Sequence, residues 1–161
     1  MSALILWHDQ RGSAETLARQ LQAATGAAIE AIQTERPVGW FDRLLQRDVA
    51  IKPPQSDPKT HRLVIICCAT PRGRLPIEVR SLLFQFRTRI SALACVLIPD
   101  TFTTNTEFAL ADIERHASQR PVALVELPLR ELSEAAGEAS RPWIAQRKME
   151  LFRDQLKNYL Q

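Results

Sequence analysis

Five apolar runs in this chain stop at turn signals, and after the first, third and fourth the following loop opens straight onto a helix-period pattern. The rhythm constrains the chain to an α/β class built on a parallel sheet, because parallel neighbours need long crossovers and helices supply them. In such a sheet the loops at the carboxyl ends of the strands converge on one ligand crevice. Here those loops read Trp7-His8-Asp9-Gln10-Arg11-Gly12-Ser13, Thr70-Pro71-Arg72-Gly73-Arg74-Leu75-Pro76 and Pro99-Asp100-Thr101-Phe102-Thr103-Thr104.

Leu4-Ile5-Leu6-Trp7 has the continuous hydrophobicity of a strand buried on both faces. From Ser13 the period changes: Ala14, Leu17, Ala18 and Leu21 recur at three and four, with Gly26 past the end, which predicts the first helix. Ala28 to Ile32 alternates apolar with polar, as an edge strand does. Residues 33 to 61 predict one short amphipathic helix at Trp40 to Leu45 and then a proline-marked surface loop. Leu63 to Ala69 is the most hydrophobic run and the predicted central strand; Ala92 to Ile98 and Val122 to Leu127 are the fourth and fifth. The intervening helices start at Pro76, with a stripe of Ile77, Val79, Leu82, Leu83 and Phe86, and at Thr104, where Thr-Asn-Thr-Glu has the capping-box spacing. A final helix from Pro142 carries Ile144, Leu151, Phe152, Leu156, Tyr159 and Leu160 along one side for docking.

With 161 residues, the chain is long enough for one buried core and short of two, so a single domain over 1–161 is expected. No apolar stretch approaches a bilayer span and the N-terminus lacks a secretory leader, so the expected location is cytoplasmic, with no membrane partner. The three cysteines, Cys67, Cys68 and Cys95, lie inside apolar runs, and adjacent strand residues face opposite ways, which argues against redox or metal chemistry. The net charge of +3 comes entirely from residues 140 to 161. No aromatic residues interleave with that basic stretch and no nucleic-acid motif is present, so a nucleic-acid partner is not expected.

The order of these features resembles the flavodoxin family over nearly the whole chain: a glycine loop after strand one, the Gly39 to Leu45 piece followed by Pro53-Pro54, and Thr70-Pro71 after strand three with Pro76 and Val79-Arg80 opening the next helix. The resemblance implies a three-layer sandwich with strand order 2-1-3-4-5 and FMN bound where strands one and three part. It assigns the cofactor to Asp9, Gln10, Arg11, Gly12, Ser13 and Ala14 at the phosphate, and to Thr70, Pro71, Arg72, Gly73, Arg74 and Phe102 around the ring.

The phosphate loop departs from the family pattern Ser/Thr-x-Thr-Gly-x-Thr, retaining only Gly12, while Asp9 brings a carboxylate toward a dianion. Arg11 is either a replacement phosphate ligand or a solvated surface residue, and Ser13 either reaches a phosphate or caps the helix. The strand-three loop has no aromatic residue, which leaves Phe102 as the candidate ring stacker; Arg72 or Arg74 either stacks on the flavin or neutralises charge and raises its potential, or serves only solubility. His8 sits in the expected crevice; Trp7, Trp40 and Trp143 read as packing residues. Hydrolase, Walker and dinucleotide motifs are missing. Two readings follow. One is an FMN protein in electron transfer or quinone-type reduction. The other is a flavodoxin-fold protein without FMN, serving as a scaffold for a protein partner or binding another phosphorylated or anionic small molecule.

Overall fold

The computed structural model describes residues 2–9, 11–100, 107–132 and 142–161. Strands β1 (Ala3–His8), β2 (Ala28–Ala31), β3 (Leu63–Thr70), β4 (Leu93–Pro99) and β5 (Ala123–Glu126) form one sheet in the order β2-β1-β3-β4-β5. Every pairing is parallel, with Leu6 opposite Ile66 and Ile66 opposite Cys95 across the centre. This is the expected order. The inner strands match the continuous apolar runs because they are buried on both faces, β3 at the centre almost wholly, while the edge strand β2 is not.

Helix α1 (Ser13–Thr25) ends where Gly26 takes a left-handed φ of 68° and returns its N–H to the Gln22 carbonyl at 2.8 Å, a geometry that glycine adopts without Cβ strain. The short α2 (Trp40–Leu44), α3 (Ile77–Phe86), α4 (Glu107–Ala117), a short α5 (Leu129–Leu132) and the long α6 (Pro142–Leu160) complete the α-helices among the described residues. The capping box expected from Thr104 lies outside the described residues, and α5 was not anticipated.

The sheet separates two cores. On one face, Ala14, Leu17, Ala18 and Leu21 of α1 and Ala145, Phe152 and Leu156 of α6 pack on Ile5, Ile65, Cys67 and Val96. On the other, Ile77, Leu82, Leu83 and Phe86 of α3 and Ala109 and Ile113 of α4 cover Leu4, Ile66, Cys68, Cys95 and Leu97. The alternation of strand side chains thus puts Cys67 on one face and Cys68 with Cys95 on the other. Burial drives all three thiols up, Cys68 to about 12, so they are inert packing residues.

The irregular stretch between β2 and β3 is pinned rather than loose. Gln85 of α3 takes the Ile51 N–H and donates to the Val49 carbonyl, Ser81 takes the Val49 N–H at 3.0 Å, and the Glu30 carboxylate receives the N–H groups of Gln55 and Ser56. Three apolar residues depart from the packing expected of them. Trp40 and Trp143 are 66% and 68% exposed and Leu151 is half exposed: Trp143 and Leu151 fall on the outward side of α6, whose inner side meets the core, and Trp40 lies on α2, whose one buried residue is Asp42. Trp7, by contrast, packs against the core as expected.

Candidate functional site

The helix after β1 and the helix after β3 lie on opposite faces of the sheet, so these neighbouring strands part and leave a crevice at their carboxyl ends. A cavity of about 210 Å³ lies there. All three expected loops contribute to its lining, His8, Asp9, Arg11 and Ser13 from the first, Pro71 and Pro76 from the second and Asp100 from the third, together with Ala69 of β3 and Ile98 of β4. Arg43 of α2 and Leu129 of α5 also line it, and neither was anticipated.

At the first loop the backbone turns through Gly12, whose φ of 89° is left-handed, and aims the start of α1 at the crevice. Helix N-termini attract anions because their first amides lack partners within the helix. Here the anion is internal. The Asp9 carboxylate accepts the Arg11 N–H at 2.8 Å through Oδ1, and through Oδ2 the Ala14 N–H at 2.7 Å and the Ser13 hydroxyl at 3.1 Å. Ser13 neither waits for a phosphate nor caps α1 itself; its hydroxyl is spent on Asp9.

The second loop spreads its cations. Arg72, at a left-handed φ of 55°, donates its N–H to Asp100 at 3.1 Å and so ties the β3 loop to the β4 loop. Arg74 turns onto α4, where its guanidinium meets Asp112 at 3.1 Å and lies 5.8 Å from the Phe108 ring centre. Thr70 and Gly73 are buried, and neither they nor Arg72 and Arg74 line the cavity. Gln10 and Phe102 lie outside the described residues. The structure thus brings Asp9, Arg11, Ser13 and Pro71 together at the crevice, leaves Arg72 outside the lining and directs the Arg74 guanidinium onto α4.

A second charged group stands behind the lining residues His8 and Arg43. Glu78, in the first turn of α3 and 3% exposed, accepts Arg43 Nη2 at 2.8 Å on Oε1, while its Oε2 stands 3.5 Å from His8 Nε2. Burial holds His8 below its ordinary pKa against the opposing pull of Glu78, so the imidazole is neutral near pH 7. Glu78 interrupts the apolar run of a buried helix, and that interruption was the available sequence signal. Its partner Arg43, 35 residues away, gave none.

An FMN phosphate does not fit this arrangement. The amides of Arg11 and Ala14 are taken, and a dianion about 4 Å from the Asp9 carboxylate would face a repulsion on the order of 4 kcal/mol per unit charge at an effective dielectric constant of about 20. Among the described residues no group of acids, histidines and cysteines could hold a metal ion.

The sheet order, the switch-point crevice and the two packed faces define a flavodoxin-like α/β sandwich. Among solved structures, a flavoprotein of Lactobacillus acidophilus in complex with FMN superposes with a TM-score of 0.63 at 13% identity, covering 78% of this chain and 92% of its own. The apo form of the Lactobacillus acidophilus flavoprotein gives 0.56 at 14% identity, over 86% and 97% of the two chains. A Bacteroides eggerthii chain assigned as a flavoprotein gives 0.54 at 16% identity, over 90% and 96%. No family model matches the chain, and no curated protein matches it. At these identities the likeness establishes the fold. No described helix is long and apolar enough to cross a membrane.

Proposed function

We propose that the crevice binds a planar, uncharged ring system, with a flavin as the leading candidate, and that it does so without gripping a phosphate at α1. The observation that carries this reading is the Asp9 carboxylate seated on the Ala14 amide of α1 and on the Arg11 amide of the loop before it. The cavity supports it: about 210 Å³ lies below the usual range of roughly 300–1,000 Å³ for ligand pockets, so a ring enters and a polar tail stays outside. The walls Ala69, Pro71, Pro76, Ile98 and Leu129 suit such a ring, and neutral His8 and Arg43 offer polar contacts at its edge. The structural neighbour in complex with FMN supports a flavin over other rings. A bound flavin would supply electron transfer or quinone-type reduction; the protein would set only its surroundings.

A second reading, a flavodoxin-fold protein that holds no flavin and works through its surface, is favoured by the exposed apolar residues of α2. Parallel fluorescence titrations of the apo-protein with riboflavin and with FMN separate the two. A site without a phosphate seat binds riboflavin at least as tightly as FMN, and Asp9→Ser shifts the preference toward FMN. Strong preference for FMN in the unaltered protein would overturn the proposal; binding of neither ligand would favour the second reading.

A further inference from the structure

Glu78 leaves half of its carboxylate unused. Arg43 Nη2 holds Oε1 at 2.8 Å, but Oε2 is buried without a hydrogen-bond partner and stands 3.5 Å from His8 Nε2. A buried charged oxygen in that state is costly, and a protonated His8 is the group placed to relieve it. The imidazole lines the cavity, with its side chain 17% exposed. Among the described residues no hydrogen bond ties it up, so it is left for a ligand. A neutral histidine backed by a carboxylate, itself fixed by a third group, has the parts of a general-base site.

We propose that His8 is the proton acceptor of the crevice, taking the proton of a ring ligand that carries a weakly acidic O–H or N–H, with Glu78 as the positioning residue behind it. The inference rests on the reading of the crevice as a ring site and narrows the class of ring; phenols, quinols and the imide edge of a flavin belong to it. The ligand's O–H or N–H bond breaks, its electron pair stays on that atom and spreads into the ring, and the proton forms an N–H bond on the imidazole. Nothing is oxidised or reduced. The imidazolium then directs Nε2–H at Glu78 Oε2, the oxygen without a partner. The charged groups around the imidazole divide. Burial keeps His8 neutral and so available as a base; Glu78 of α3 and Asp9 of its own loop favour the imidazolium, and Arg43 of α2 opposes it. A ring anion formed beside the imidazole offsets the burial penalty. Arg11 and Arg43 of the lining attract that anion, and Asp9 and Asp100 repel it. A ligand arriving as an anion meets that repulsion uncompensated, whereas a neutral acid creates its charge together with the imidazolium.

The test uses para-nitrophenol, whose phenolate alone absorbs in the visible, and para-nitroanisole, the same ring with no proton to give. Equilibrium dialysis against the full chain measures binding of each, about one pH unit below the phenol's own pKa. The bound phenol should appear as phenolate, its ionised fraction raised roughly fivefold over the free probe, which corresponds to a shift of about one pKa unit. His8→Gln should bind it un-ionised, and folded Glu78→Gln should give an intermediate fraction. In the parent protein, the NMR signals of the His8 imidazole should report protonation on adding the phenol and none on adding the anisole. Binding of both rings without the phenolate band, a band that His8→Gln retains, or a His8 signal that stays neutral would overturn this proposal and leave the ring site standing. Binding of neither ring would overturn both.

Discussion

Replacing Asp9 with alanine should expose the anion seat of α1, and the consequence can be sized from its contacts. The carboxylate loses N–H bonds of 2.8 and 2.7 Å and a hydroxyl bond of 3.1 Å. Charge-assisted bonds are each worth about 1.5–3 kcal/mol when well buried, but Asp9 is only half-buried, and loss of a comparable helix cap costs about 0.5–2 kcal/mol. A net loss of about 1–2 kcal/mol is the reasonable expectation. For a chain of this size it lowers the melting temperature by roughly 2–8 °C. The freed amides should then take an external anion. If inorganic phosphate binds the variant at about one-tenth of its supplied concentration, it restores roughly 1.4 kcal/mol, which is most of what was lost. Differential scanning fluorimetry in phosphate and in chloride of matched ionic strength measures both steps. The unaltered protein controls for the general stabilising effect of phosphate. Equal phosphate gains in the two proteins would refute the idea that Asp9 fills the seat, as would an Asp9→Ala variant that loses no stability.

Other perturbations address separate parts of the structure. Burial lowers the His8 pKa, so the unfolded chain takes up its proton first; the His8 contribution is whole above the ordinary value of 6.5 and is lost as pH falls below it, at up to about 1.4 kcal/mol per pH unit. Urea unfolding at pH 7.5 and pH 5.5 should show a smaller acid loss for His8→Gln than for the parent, and an unchanged loss would contradict the burial of neutral imidazole. Ser81→Ala strands the buried Val49 N–H and should cost about 1–3 kcal/mol with no change in the urea m-value. Phe152→Ala empties a fully buried site between α6 and the sheet and should cost about 3–5 kcal/mol. Native protein should leave all three thiols unreactive to Ellman's reagent, with the three released together on unfolding, since all are buried on the sheet; fast labelling of any one before unfolding would count against the packing described.

The fold was legible because each signal was local and repeated. Strands buried on both faces have few options but continuous apolar runs, and Ala14, Leu17, Ala18 and Leu21 of α1 met the sheet as their spacing requires. The convergence of three loops on a crevice followed from the topology alone. What stayed hidden depended on partners distant in sequence. Arg74 could be counted as a loop cation, but its direction is set by Asp112, 38 residues on. The Arg43–Glu78 pair joins two elements that no periodicity connects. The outward face of α2 misled for a different reason: hydrophobic pattern reports which residues are apolar, and Asp42 and Arg36 decided which side turned inward. Asp9 was visible as a carboxylate in the wrong place, yet only coordinates show that it bonds to the helix instead of confronting a ligand.

Both helices that start at the switch point carry their own compensating charge. At α1 the carboxylate of Asp9 bonds directly to the Ala14 amide, and at α3 Glu78 stands in the first turn, where a negative charge offsets the positive end of the helix dipole. A crevice selected to hold a dianion gains from leaving such ends bare, since each then adds attraction in a site partly shielded from water. Filling both has the opposite effect: it stabilises the apo fold and lowers the potential that an incoming phosphate meets. Arg43 does not restore that potential, because its guanidinium is committed to Glu78 at 2.8 Å. The electrostatics of the two helix starts and the size of the cavity therefore favour the ligand proposed for this crevice, one that enters as an uncharged ring.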